Sequence, residues 1–242
     1  MNFWQAFWSN YGPEHAVTEE DLFKQVAQTR NKRPISKELF KRTLDHIVDR
    51  LKLSSSEHLV DLCCGNGLVS YELASHVAYV TGIDFVPRNI NTATQLKSKK
   101  NVCYVLGDVT APLAGLIGVN TFPDKFLMNG SLAYFEPTEF GNILKNIVTH
   151  MAGRPFLFLL TSIPCSDLKW NFYDTPERVA RHLINEKHPG NTNDGVGRWW
   201  KHSEIQDICF RHGLHVEVTN QPADLSNFRM DALIASLRKL HI

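Results

Sequence analysis

The chain alternates between short apolar runs and helix-length segments. The runs are "HLVDLC" (58–63), "AYVTGID" (78–84), "VCYVLGD" (102–108), "DKFLMNG" (124–130) and "RPFLFLLTS" (154–162). Each has the length and content of a buried strand. The segments between them predict helices. One runs from about Gly67 to His76. Another starts at Pro87 and ends near Lys97, Lys99 and Lys100. A third covers 137–153, with Pro137 near its start and Gly153 past its end. Strands alternating with helices imply a parallel sheet. Ser203, with Gln206 as capping-box partner, opens a further helix that ends at Gly213. Two last runs, "LHVEVTN" (214–220) and "FRMDALIASL" (228–237), are joined by 221–227. That link is shorter than the dozen or so residues a parallel crossover needs, so these strands should pair antiparallel. The expected fold class is α/β: a doubly wound, seven-stranded, mostly parallel sheet closed by an antiparallel C-terminal hairpin.

Two stretches lie outside this rhythm. Residues 1–57 read as an N-terminal helical extension. Thr18 and Asp21 form a capping box, Ser36 caps the next helix, and Phe40, Leu44, Ile47 and Leu51 fall on one apolar face. Residues 163–201 contain clustered aromatics and the turn-rich "HPGNTNDGVG" (188–197). The stretch is long for a connection in a compact domain, which marks it as an inserted lid or substrate region.

Charge narrows the function classes. The 242 residues carry 26 Lys+Arg and 25 Asp+Glu, a formal net charge of +1. That balance has no electrostatic footprint for nucleic acid or an anionic membrane. The Lys97–Lys100 run reads as a complement to a helix C-terminus. The N-terminus lacks the pattern of a signal peptide, and the longest apolar runs, such as "FLFLL" (156–160), are too short to span a bilayer. There are five cysteines and no CxxC, which argues against a disulfide framework or a zinc site and for a reducing cytoplasm.

The chemistry concentrates in "LVDLCCGNG" (59–67). Gly65-Asn66-Gly67 turns from a strand into a helix, where a positive φ and a close ligand approach are useful. Asp84 ends the next strand, where a carboxylate can accept both ribose hydroxyls. Read as GxGxxG, the stretch puts Ser70 in the third glycine position. Read as acid-x-G-x-G-x-G, it gives Asp61, Cys63, Gly65 and Gly67. In that form it resembles motif I of the class I S-adenosylmethionine-dependent methyltransferases, with Cys63 in place of the first glycine. The resemblance runs over roughly residues 57–237. It implies a Rossmann-like methyltransferase fold over a catalytic domain 58–242, capped by 1–57, with S-adenosyl-L-methionine as cofactor. Asp84, in "TGIDFVP", resembles the family's ribose-binding acid. Asp108, in "VLGDVT", resembles the acid set against the adenine amino group. With their neighbours, the implied cofactor-binding set is Asp61, Cys63, Gly65, Asn66, Gly67, Asp84, Phe85, Asp108, Val109 and Asn129.

The acceptor side is less marked. "MNGSLAYF" (128–135) lacks the proline pair of methyltransferases that act on base amino groups. Asn129 and Tyr134 are candidates to touch cofactor or substrate. His202 and His188 are candidate bases, since histidine is poised near neutral pH; Asp167 and Tyr173 are weaker ones. Trp4, Phe7, Trp8 and Tyr11, and the pair Trp199-Trp200, read either as core or as walls of an acceptor pocket that Lys24, Gln28 and Arg30 could reach. No metal is expected, at His212 and His215 or elsewhere. The leading function is methyl transfer to an O or N atom of a small molecule, a sugar or secondary metabolite among them. The alternatives are an NAD(P)-dependent oxidoreductase and a non-catalytic cofactor-binding or scaffold protein. The oligomeric state is not legible.

Overall fold

The computed structural model describes residues 3–30, 32–187 and 196–236. Its first third is not purely helical. After α1 (Phe3–Asn10) and α2 (Glu19–Gln25), β1 (Thr29–Arg30) pairs antiparallel with β2 (Arg33–Pro34), and α3 (Lys37–Leu51) follows. Lys32 takes a left-handed φ of 63° between the two short strands, so the chain turns back here rather than extending a helix. The expected caps are present. Thr18 and Asp21 form a capping box, and the Leu39 N–H donates to the Ser36 hydroxyl at 3.2 Å.

The α/β rhythm then holds. β3 (His58–Leu62), α4 (Leu68–Leu73), β4 (Tyr79–Asp84), α5 (Pro87–Leu96), β5 (Val102–Leu106), α6 (Ala114–Ile117) and β6 (Lys125–Asn129) succeed one another. Next come α7 (Pro137–Met151), β7 (Leu157–Pro164), α8 (Pro176–Lys187), α9 (His202–Arg211), β8 (Leu214–Asn220) and β9 (Arg229–Ser236). The main sheet has seven strands in the order β5-β4-β3-β6-β7-β9-β8. β9 runs antiparallel to both neighbours and the other pairs are parallel, so the C-terminal hairpin is as expected. α9 departs from its predicted cap. It begins at His202, and its third residue, Glu204, accepts from the Lys201 N–H at 2.9 Å. A carboxylate there accepts the Lys201 N–H in a charge-assisted bond that the amide of the expected Ser203–Gln206 pair would not make.

Two apolar layers enclose the sheet. On one face, Phe126, Phe158 and Leu160 pack with Phe140, Ile147 and Trp200. On the other, Leu59, Leu127 and Leu159 pack with Ile47 and Leu51 of α3 and with Leu22 and Phe23 of α2. The N-terminal helices thus share the sheet's core. Lys99 serves a helix end, though not its own: its Nζ donates to the Tyr71 carbonyl at the end of α4, at 2.6 Å. Among the described residues, no helix is long and apolar enough to cross a membrane.

Candidate active site

At the carboxyl ends of the parallel strands, where ligands of open α/β sheets bind, lies a cavity of about 710 Å³. Its walls come from the loops after β3, β4, β5, β6 and β7, from the N-terminal segment and from the start of β9.

The glycine loop needs left-handed backbone at three positions. Cys63, Gly65 and Gly67 have φ of 62°, 58° and 78°. A non-glycine residue in this region costs about 1 kcal/mol or more, so Cys63 occupies a glycine conformation with a small side chain. A Cβ on Gly65 would come within 2.6 Å of Val26 Cγ1, and one on Gly67 within 2.5 Å of the Tyr104 hydroxyl. Close packing keeps both positions glycine. Cys64 is buried against the loop and Gly82. Burial, then the carboxylates of Asp84 and Asp61, push both thiols well above the ordinary range. Neither is a thiolate nucleophile at neutral pH.

All three acids of the sequence-derived cofactor set line the cavity. Asp61 accepts from the Ser70 hydroxyl at 2.6 Å. Burial pushes its carboxyl up to about 7; the Ser70 bond opposes this and nearby Asp84 adds to it. Asp84 ties the loop to β4: one oxygen accepts from the Gly65 N–H at 2.9 Å, the other from the Val86 N–H at 2.9 Å. Burial raises its pKa, against those backbone bonds and a bond from Asn89. Asp108 folds back on Thr110 (N–H 2.9 Å, hydroxyl 2.7 Å) and accepts from Gln5 Nε2 of α1 at 3.2 Å.

Of the sequence-derived cofactor set, Cys63, Gly65, Phe85, Val109 and Asn129 line the cavity beside the three acids. Asn129 accepts from Thr161 Oγ1 at 2.6 Å. Asn66 and Gly67 are not lining residues. Asn66 turns to the N-terminal segment instead, donating to the Leu22 carbonyl at 2.8 Å and to Gln25 Oε1 at 2.9 Å. Tyr134 lines the cavity against Trp4 and Trp8, with ring centroids 4.8 and 5.0 Å away. His202 is not in the lining; its Nδ1 is 3.7 Å from Asp167 Oδ2, and the two group with Cys165. His188 lies outside the described residues. Tyr173 is buried and stacks on His182. Gln28 and Arg30 line the cavity, whereas Lys24 pairs with Glu20 at 3.0 Å and does not. Trp200 is a fully buried core residue beside Phe140, and Trp199 packs on Phe172 and Phe228.

Sequence reasoning missed several lining residues: Gln5, Asn89, Ser162, Gln221 and Arg229. A bulge in β7 between Leu160 and Ile163 puts Ser162 at a left-handed φ of 59°, as bulges beside active sites often do. Its N–H donates to Asp231 at 3.0 Å. Asp231 also accepts from Gln221 at 2.9 Å and meets His46 Nε2 of α3 at 2.6 Å. The available signal was "RMD" (229–231), two charged residues two apart at the start of an otherwise apolar strand.

Comparison with known proteins agrees with this geometry. Residues 59–153 match the family model described as a methyltransferase domain. An uncharacterised methyltransferase of Schizosaccharomyces pombe is 48% identical over 50 residues, which is 21% of this chain; the match spans 19% of that relative's length. Among solved structures, magnesium protoporphyrin IX methyltransferase from Synechocystis, bound to S-adenosylhomocysteine, superposes with a TM-score of 0.60 at 14% identity, covering 90% of this chain and 94% of that one. A TehB-like S-adenosylmethionine-dependent methyltransferase from Corynebacterium glutamicum gives 0.54 at 15% identity, covering 80% and 87%. These structural likenesses concern the fold.

Proposed function

We propose that the chain is a class I S-adenosylmethionine-dependent methyltransferase, supported by the methyltransferase-domain match over residues 59–153, and that it transfers a methyl group from S-adenosylmethionine to an oxygen or nitrogen atom of a small molecule. One observation carries the reading: the glycine loop, Asp84 and Asp108 converge on one cavity that aromatic side chains also line. The site also fits the cofactor on its own chemistry. Asn89 Oδ1, beside Asp84, is buried with no hydrogen-bond partner among the described residues. It is an acceptor waiting for a donor such as a ribose hydroxyl.

Asp84 and Asn89 would hold the ribose, Asp108 and Val109 the adenine end, and the Cys63–Gly65 backbone the methionine portion. Bound, the cofactor supplies an electrophilic methyl carbon on a cationic sulfur. The protein's part is to align an acceptor with it, and alignment alone lowers such barriers by several kcal/mol. Residues 1–57 act as the cap and 163–201 as the lid, since Trp4, Trp8, Phe172 and Asp174 face the same space. Together they exclude water from the reacting pair. Of the carboxylates on described lining residues outside the cofactor set, Glu139 and Asp174 would take the proton leaving a hydroxyl acceptor; the other candidate base, His188, lies outside the described residues. The reading sets the protein in the cytoplasm, where its free cysteines stay reduced.

The test is incubation with S-adenosylmethionine and pools of hydroxyl- and amine-bearing metabolites, followed by mass spectrometry. The expected result is S-adenosylhomocysteine formed together with an acceptor heavier by one methylene. Acceptors unchanged across the pools, with the cofactor bound but never consumed, would contradict catalysis.

A further inference from the structure

The cavity has a second end that the cofactor residues do not use. Asp61 lies near the end of β3, Asp84 ends β4 and Asp108 follows β5, whereas Arg229 opens β9. In the strand order β5-β4-β3-β6-β7-β9-β8, β9 stands three strands from β3 and four from β4. At about 4.8 Å per strand, that is roughly 14–19 Å across the sheet.

At this end, positive charge and hydrogen-bond donors are left uncompensated. Arg229 and Arg30 both line the cavity, and neither has a carboxylate within ion-pair distance among the described residues. Arg229 Nε is buried and has no hydrogen-bond partner among the described residues. Its guanidinium lies 5.0 Å from the centroid of the Phe228 ring. Arg30 donates to the Leu225 carbonyl at 3.2 Å. The nearest acid on the same strand, Asp231, is occupied by Ser162, Gln221 and His46. Burial holds Arg229 below its ordinary pKa; the Arg30 charge acts the same way, while Tyr134 and Asp231 oppose it. In the same lining, Trp8 Nε1 is likewise buried with no partner among the described residues. The other acids of the lining are engaged: Asp174 by Arg178 at 2.7 Å, and Glu139 by the Glu136 N–H at 2.8 Å. Two neighbouring cations with no ion-paired carboxylate among the described residues, and a buried indole donor, are costly unless a ligand satisfies them. A planar guanidinium matches a carboxylate with two parallel bonds. Phe228 packs against the Arg229 guanidinium, and Trp4, Trp8, Tyr134 and Phe172 line the same cavity.

The geometry points to a methyl acceptor that is a carboxylic acid with a flat apolar body, its carboxylate held by Arg229 and Arg30. This rests on the methyltransferase reading and names the substrate class of the same site. The cofactor's own carboxylate is the other source of this chemistry. The strand order sets Arg229 on the acceptor side instead.

The experiment titrates protein saturated with S-adenosylhomocysteine with benzoate, phenylacetate and cinnamate, and with the matching neutral amides, following tryptophan fluorescence. The acids should bind at least ~10-fold tighter than the amides. Arg229→Gln should abolish that preference and Arg229→Lys keep part of it, with S-adenosylhomocysteine affinity changed less than about twofold. Equal behaviour of acids and amides, whether both bind or neither does, overturns the proposal. So does an Arg229→Gln variant that loses S-adenosylhomocysteine as severely as benzoate, since the guanidinium would then serve the cofactor. Should Arg229→Gln fail to fold, Arg30→Gln at the cavity mouth carries the same test with a smaller loss. Wild-type protein that binds no S-adenosylhomocysteine would instead defeat the methyltransferase reading, and the acid-over-amide comparison is then read on the unloaded protein.

Discussion

Cys63 and Asp61 show how single residues are tuned in the glycine loop. The sequence places a cysteine where the related motif has glycine, and the backbone there is left-handed. Cys63→Gly should therefore leave S-adenosylhomocysteine affinity within about twofold. Cys63→Val, branched at Cβ in the same conformation, should destabilise the protein by at least ~2 kcal/mol in urea unfolding. Both loop thiols are raised by burial, so a thiol probe at pH 8 should label exposed Cys103 long before them. Asp61 carries a pH signature. Its folded pKa of about 7 lies above the ordinary 3.8, so the folded state binds the proton more tightly than the unfolded one. The stability it contributes is complete below about pH 4 and is lost as pH rises through 7. Asp61→Asn cannot ionise and its Oδ1 can still accept from Ser70. Its stability relative to wild type should rise by roughly 2–3 kcal/mol between pH 5 and pH 8, read by chemical denaturation.

At the scale of elements, local signals were legible where a single interaction decides the outcome. Pro87 and Pro137 start α5 and α7, and the Thr18 and Ser36 caps start α2 and α3. The short link 221–227 correctly implied an antiparallel hairpin. What the sequence hid depends on contacts made at a distance. The β1–β2 turn rests on a left-handed lysine, which composition does not announce. The β7 bulge is held by Asp231, 69 residues away from Ser162. Arg229 joins the site only because β9 is inserted beside β7. α3 was read as part of a separate cap, yet its apolar stripe packs on the sheet: Ile47 and Leu51 are fully buried. Ile47→Ala should cost about 2–5 kcal/mol and lower the melting temperature of the whole protein in one transition. A separate early transition would mean that the N-terminal helices fold as their own unit.

For the whole molecule, one cavity joins parts distant in sequence: α1, the β1 segment, the glycine loop, the insertion after β7 and the start of β9. The end of the cavity at Asp61, Asp84 and Asp108 follows from motif spacing and is legible in the sequence. The end at Arg229 and Gln221 is assembled by topology and is not. The central claim is that the glycine loop and Asp84 hold S-adenosylmethionine rather than a dinucleotide. Isothermal titration of the wild-type protein and of Asp84→Ala with S-adenosylhomocysteine, NAD⁺ and NADP⁺ tests it most directly. The account predicts binding of S-adenosylhomocysteine alone, weakened at least ~10-fold in Asp84→Ala by loss of a buried carboxylate. Binding of NAD⁺ or NADP⁺ without S-adenosylhomocysteine, or an affinity for S-adenosylhomocysteine unchanged in Asp84→Ala, would contradict it.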